Sequence, residues 1–206
     1  MSESWDTAAK ARLDFADLIE GLSDDQLSSS SLCAGWTVRD VAGHVASFLE
    51  LSLPSMMLSM AKAGFNVDKA WNANAKKYGA QPIADIVSTL RANAAKPSAM
   101  KSFPPGLTVG DVSVHTQDIR RPLGLDGALD PDVLRGALEF VTSHAKGKML
   151  VPTKDIAGLR FEATDIDWSW GDGALVRGPA EALLMGINRR DTSAELTGDG
   201  VSDLPR

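Results

Sequence analysis

The sequence predicts a mainly α-helical protein: a helical bundle over residues 1–147 and a small strand-strand-helix (α+β) unit over 148–206. Three observations predict it. Apolar residues recur at spacings of three and four through most of the first two thirds of the chain. Prolines and Ser/Thr/Asp caps punctuate that pattern at intervals suited to helices. Beyond Gly158 the texture changes to apolar/polar alternation broken by glycine turns.

A first helix is expected over about Asp6–Gly21, with Ala9, Leu13, Ala16, Ile19 and Leu22 on one stripe. Ser23 and Gln26 have capping-box spacing and start a short turn, followed by a polar loop over Ser28–Ser31. Thr37 opens a second helix with Asp40 at its third position and Val38, Val41, Val45, Phe48 and Leu49 on one face. Pro54 kinks or ends it. Met56, Met57, Leu58 and Met60 follow and read as core filling, and Gly64–Gly79 reads as an irregular connection or lid.

Pro82 suits the start of a third helix bearing Ile83, Ile86, Val87 and Leu90, and Pro97–Gly106 reads as a loop. A fourth helix starts near Thr108, carries Asp111, Val112, His115 and Ile119, and ends before Pro122 and Gly124. A fifth begins with Asp130 as cap and Pro131 behind it, buries Leu134, Ala137, Leu138 and Val141, and ends near a solvent-facing His144. Leu159–Thr164 and Ile166–Trp170 alternate as strands, with Ile166, Trp168 and Trp170 on one face. Gly171-Asp172-Gly173 is a turn, Leu175-Val176 begins a return strand, and Gly178-Pro179 opens a last helix through Leu183, Leu184 and Ile187.

Composition narrows the function. The chain of 206 residues carries a formal net charge of −6 without a Lys/Arg-rich run, which argues against nucleic acid or an anionic membrane as partner. Cys33 is the single cysteine, so an internal disulfide or a Cys-rich zinc site is excluded. Cys33 itself reads as a small buried filler. Met1–Lys10 shows no basic start and no apolar run, and Val45–Ala63 is broken by Glu50 and Pro54. The expected address is the cytoplasm, as a monomer or homodimer.

The most informative feature is an internal echo. Residues 37–44 read TVRDVAGH and residues 108–115 read TVGDVSVH, both Thr-Val-x-Asp-Val-x-x-His. On a helix that spacing puts carboxylate and imidazole on one face, one turn apart. Two such helices facing each other bring His44 and His115 together with Asp40, Asp111 or both, a donor set suited to a divalent cation such as zinc. Spacing alone leaves another reading open, because Thr followed three residues later by Asp is also a helix-start signature.

At these residues the chain resembles a known family. Cys33-Ala34-Gly35-Trp36-Thr37-Val38-Arg39-Asp40-Val41 with His44 is similar to the first signature of the maleylpyruvate isomerase-like, mycothiol-dependent enzymes of the DinB/YfiT-like superfamily. Asp111, His115 and Asp118 match the second signature; Asp165–Trp168, Gly178–Ala180 and Leu196–Val201 resemble the family's ending. The resemblance implies a DinB-like four-helix bundle holding a metal, usually zinc, on His44, Asp111 and His115. It implies that Asp40 stands outside the ligand set and that Asp118 backs an imidazole. It also implies a low-molecular-weight thiol, mycothiol above all, and a small electrophilic substrate.

The sequence departs from the pattern in three places. Asp111 stands where glutamate is common, Gln117 where an aromatic is frequent, and the tail looks shorter than the family's full C-terminal domain. Arg120 and Arg121 read as solvated surface charge. The function expected is a metal- and mycothiol-dependent transferase or isomerase. The alternatives are a hydrolase using metal-bound water, or a non-catalytic metal- or ligand-binding stress protein.

Overall fold

The structure, a computed structural model, describes residues 4–97, 103–143, 147, 151 and 153–205. It falls into two compact units, Met1–Asp126 and Gly127–Arg206. His144 lies outside the described residues. Among the described residues no helix is long and apolar enough to cross a membrane.

The first unit is helical. It contains α1 (Trp5–Glu20), α2 (Asp24–Ser28), α3 (Val38–Glu50), α4 (Leu53–Lys62), α5 (Val67–Gly79), α6 (Ile83–Ala92) and α7 (Pro105–Leu123). Helices α1, α3, α6 and α7 form a four-membered ring of neighbours, the expected bundle, with α5 packed along α3 and α4 on α5. Local chemistry sets the starts. Ser23 with Gln26 and Thr37 with Asp40 both form complete capping boxes, and Pro54 sits in the first turn of α4 after α3 has ended.

Four expectations are corrected here. The stripe on α1 is rotated: Leu13 is exposed and Arg12 is buried at 2% exposure. Arg12 is tolerated inside because Nη1 donates to the carbonyls of Ala94 (2.8 Å) and Lys96 (2.6 Å) and Nη2 to Thr108 Oγ1 (3.3 Å). Burial lowers its pKa to about 10, against the opposing pull of Asp111. The supposed connection over Gly64–Gly79 contains α5, whose N-cap Asn66 accepts from the Lys69 N–H at 2.9 Å. The methionine stretch is not core, since no residue of α4 is buried and Met57 is exposed. Finally, α7 begins at Pro105, three residues before Thr108, and Pro122 lies within its last turn.

Helix α5 approaches α3 unusually closely. A Cβ on Gly43 would stand 2.1 Å from the Gly79 backbone nitrogen, and one on Gly79 would stand 2.8 Å from the Arg39 carbonyl oxygen. Paired glycines therefore allow backbone-to-backbone contact one residue before His44.

The second unit contains α8 (Pro131–Ser143), β1 (Leu159–Ala163), β2 (Ser169–Gly171), β3 (Ala174–Gly178) and α9 (Ala180–Ile187). Helix α8, grouped by the sequence with the bundle, packs on α9 within this unit. The sheet order is β2-β1-β3, with β2 antiparallel to β1 (Phe161 opposite Trp170) and β3 parallel to it (Phe161 opposite Val176). The return strand thus joins the far edge of β1 instead of forming a hairpin with β2. The connecting turn crosses the start of β1 so tightly that a Cβ on Gly171 (φ 83°) would lie 2.1 Å from the Leu159 carbonyl oxygen. Phe161, Val176, Leu183, Leu184 and Ile187 are buried, and the Asp165 carboxylate accepts from the Ala180 N–H at 2.8 Å as α9 begins.

The α3–α5 contact generates a test. Gly43→Ala should destabilise the protein by about 3 kcal/mol, the upper end of overpacking costs, because the obstacle is backbone. Urea unfolding measures it; a loss below about 0.5 kcal/mol would contradict the close approach.

Candidate metal centre

The two copies of the echo fold differently, and the difference selects a carboxylate. In the first, Thr37 is the N-cap and Asp40 folds back: Oδ2 accepts from the Thr37 N–H at 3.0 Å and lies 3.5 Å from Lys76 Nζ. Asp40 is therefore engaged in capping. In the second, α7 has already run for a turn when Thr108 is reached, so Asp111 has no cap to make. Its side chain turns toward the histidines.

Asp111 Oδ1 lies 3.6 Å from His44 Nε2 and 3.6 Å from His115 Nε2. Those separations exceed hydrogen-bond reach. They suit ligands of one cation, since two atoms each about 2.1 Å from a tetrahedral ion lie roughly 3.4 Å apart. The residues therefore fit a divalent metal by chemistry (two imidazole nitrogens and a carboxylate oxygen) and by spacing. Asp111, though one methylene shorter than glutamate, spans the gap to both rings.

The two rings are held by different means. Asp118, at 0% exposure, places Oδ2 2.9 Å from His115 Nδ1, and this fixes a proton on Nδ1 and turns Nε2 toward Asp111. His44 is instead clamped by aromatic rings: Trp36 at 5.0 Å, Phe48 edge-on at 5.1 Å and Trp71 edge-on at 5.6 Å between centroids. Among the described residues His44 Nδ1 is buried without a partner. The His44 and His115 rings meet edge-on at 4.9 Å. Phe103 packs beyond Phe48, its ring tilted 57° to it at 6.1 Å between centroids, so one side of the site is walled by aromatic carbon.

Electrostatics point to a cation as well. Burial pushes the His115 imidazolium down, but Asp111's charge and the Asp118 hydrogen bond outweigh it, raising the pKa to about 10. Burial likewise pushes the Asp111 carboxyl up, yet His115 and His44 bring the net value below the ordinary range. The half-buried Asp111 and the fully buried Asp118 thus favour a positive charge at His115, which a proton supplies in the metal-free protein.

Sequence reasoning missed Cys33, which is not a filler. It is half-buried, with Sγ 3.0 Å from Asp118 Oδ2 and 3.6 Å from His115 Nδ1. Arg120 and Arg121 are half-buried instead of solvated. Gln117 is buried at 2% exposure.

Fold and site together define a DinB-like helical bundle with a two-histidine, one-carboxylate centre. Residues 8–118 match the family "Mycothiol maleylpyruvate isomerase N-terminal domain", and the chain belongs to that family. The crystal structure of the mycothiol-dependent maleylpyruvate isomerase is similar at a TM-score of 0.58 and 16% identity, and a histidine-to-alanine mutant of it at 0.57 and 16%. Both matches cover 100% of this chain and 100% of the other, which corrects the expectation of a shortened tail. No curated protein matches the chain at a significant level.

In metal-free protein the His115 ring should titrate near pH 10, not near 6.5, in histidine-selective NMR. Because the fold raises this pKa, its stabilising effect is full below about 6.5 and fades as pH rises through about 10. Asp111→Asn should bring the value down. Titration of His115 between 6 and 7 in the unaltered protein would contradict the charge arrangement.

Proposed function

We propose that the protein is a metal- and mycothiol-dependent enzyme acting on a small electrophile. Isomerisation of an activated double bond is the leading reaction and S-transfer the related one. The observation that carries this reading is the single Asp111 oxygen set 3.6 Å from two imidazole nitrogens, on a domain of the mycothiol isomerase family. The similar isomerase structures support it at the level of fold.

His44, Asp111 and His115 would hold the ion, zinc by donor type, and three protein ligands leave a position for an exogenous one. When bound, the metal supplies acidity, holding a coordinated thiol as its nucleophilic thiolate at neutral pH. The remaining tasks fall to the chain. Asp118 keeps the His115 proton at Nδ1, so that the ring stays neutral and correctly turned. Trp36, Phe48, Trp71 and Phe103 exclude water from one flank, which strengthens every charge interaction inside. Trp36 is itself fixed by donation from Nε1 to Asn72 Oδ1 at 3.0 Å, tying the aromatic wall to α5. Reversible addition to substrate gives isomerisation and retained addition gives transfer, so the substrate decides between them.

Metal content and mycothiol-dependent turnover of maleylpyruvate test the proposal in the wild type beside His44→Ala, Asp111→Ala and His115→Ala. The wild type should carry about one divalent ion per chain and each variant should lose at least about tenfold in affinity. Turnover should require both metal and thiol. Turnover without thiol would favour the hydrolase reading; equal, negligible metal in all four proteins would overturn the proposal.

A further inference from the structure

The loop between α2 and α3 is tightly organised. Ser30 bridges to Thr37, the Val38 N–H donates to the Ser29 carbonyl at 2.9 Å, and the Trp36 N–H to that of Cys33 at 3.0 Å. The Cys33 N–H donates to Ser31 Oγ at 3.1 Å. One backbone bond fastens the loop to α7: the Leu32 N–H donates to the Asp118 carbonyl at 3.0 Å. That carbonyl is available because its helical donor four residues on is Pro122, which has no N–H. The proline therefore opens a docking point on α7 at the residue that backs His115.

With Leu32 anchored there, the Cys33 thiol lies over the Asp118 side chain. Sγ is 3.0 Å from Oδ2, the same oxygen that stands 2.9 Å from His115 Nδ1. Cys33, His115 and Asp118 are close enough to resemble a second ligand cluster, but the two contacts to Asp118 Oδ2, 2.9 and 3.0 Å, are hydrogen-bond lengths, shorter than the roughly 3.4 Å between ligands of a tetrahedral ion. The thiol acts as a donor. A fully buried carboxylate depends on its donors for its orientation as well as its charge.

We propose that Cys33 is a positioning residue for the metal centre: its S–H donation to Asp118 Oδ2 holds that buried carboxylate where it aims His115 Nε2 at the ion. The inference rests on the metal reading above. It extends the site across 82 residues of sequence to a loop that carries no ligand.

Zinc affinity, measured by competition with a chromophoric chelator, tests it in the wild type, Cys33→Ala, Cys33→Ser, Asp118→Ala and the Cys33→Ala/Asp118→Ala double variant. Melting temperatures of the metal-free proteins report folding separately. Cys33→Ala should weaken zinc binding by about tenfold, while Cys33→Ser, which keeps a donor, should stay within about threefold of the wild type. In the Asp118→Ala background, Cys33→Ala should add nothing, because its effect passes through that carboxylate. The visible spectrum of the cobalt(II)-substituted protein should shift in Cys33→Ala and return in Cys33→Ser. Wild-type affinity in Cys33→Ala, equal weakness in Cys33→Ser, or independent losses in the double variant would each overturn the inference alone. A wild type that takes up no zinc would overturn the metal reading itself, and this inference with it.

Discussion

One carboxylate oxygen, Asp111 Oδ1, equidistant from two imidazole nitrogens on different helices, is the constraint around which the helical unit is arranged. Helix α3 brings His44 and helix α7 brings both Asp111 and His115, so the crossing of these two helices defines the site. Everything that sets that crossing matters to function. Gly43 and Gly79 let α5 press against α3 and deliver Trp71 to His44. Arg12, reaching from α1, hydrogen-bonds Thr108 one turn before Asp111 and fixes how α7 enters the bundle.

The same arrangement explains why buried charge is tolerated. Asp111 and Asp118 lie one helical turn or so either side of His115 and would repel each other without a cation between the imidazoles. A buried carboxylate is costly unless paired and hydrogen-bonded: Asp118 is hydrogen-bonded to His115 Nδ1, and the half-buried Asp111 faces the Nε2 atoms of both rings. The asymmetry between the rings follows: His115 is aligned by hydrogen bonding through Asp118, whereas His44, whose Nδ1 has no partner among the described residues, is held by aromatic packing.

Much of this was legible where the signal is local. Capping boxes at Ser23 and Thr37, the proline at the start of α4, and the echoed Asp-to-His spacing all depend on residues within one turn. What the sequence hid was tertiary. The echo looked symmetrical, yet Pro105 starts α7 a turn early and releases Asp111 from the capping that occupies Asp40. Helix α5 was obscured because its flanking Gly64 and Gly79 resemble breakers, whereas Gly79 is required by contact with α3. Arg12 and Cys33 gave no sign of their roles, since their partners lie more than 80 residues away. The parallel pairing of β3 was hidden for a related reason: alternation marks a strand but not the edge it joins.

X-ray absorption at the zinc edge of the loaded protein tests the central claim most directly. A first coordination shell of two imidazoles and oxygen at about 2.0–2.1 Å is predicted, with one sulfur at about 2.3 Å appearing only when a thiol is added. A shell without imidazole scattering, or sulfur present before any thiol is added, would contradict the assignment of His44, Asp111 and His115 as the ligands.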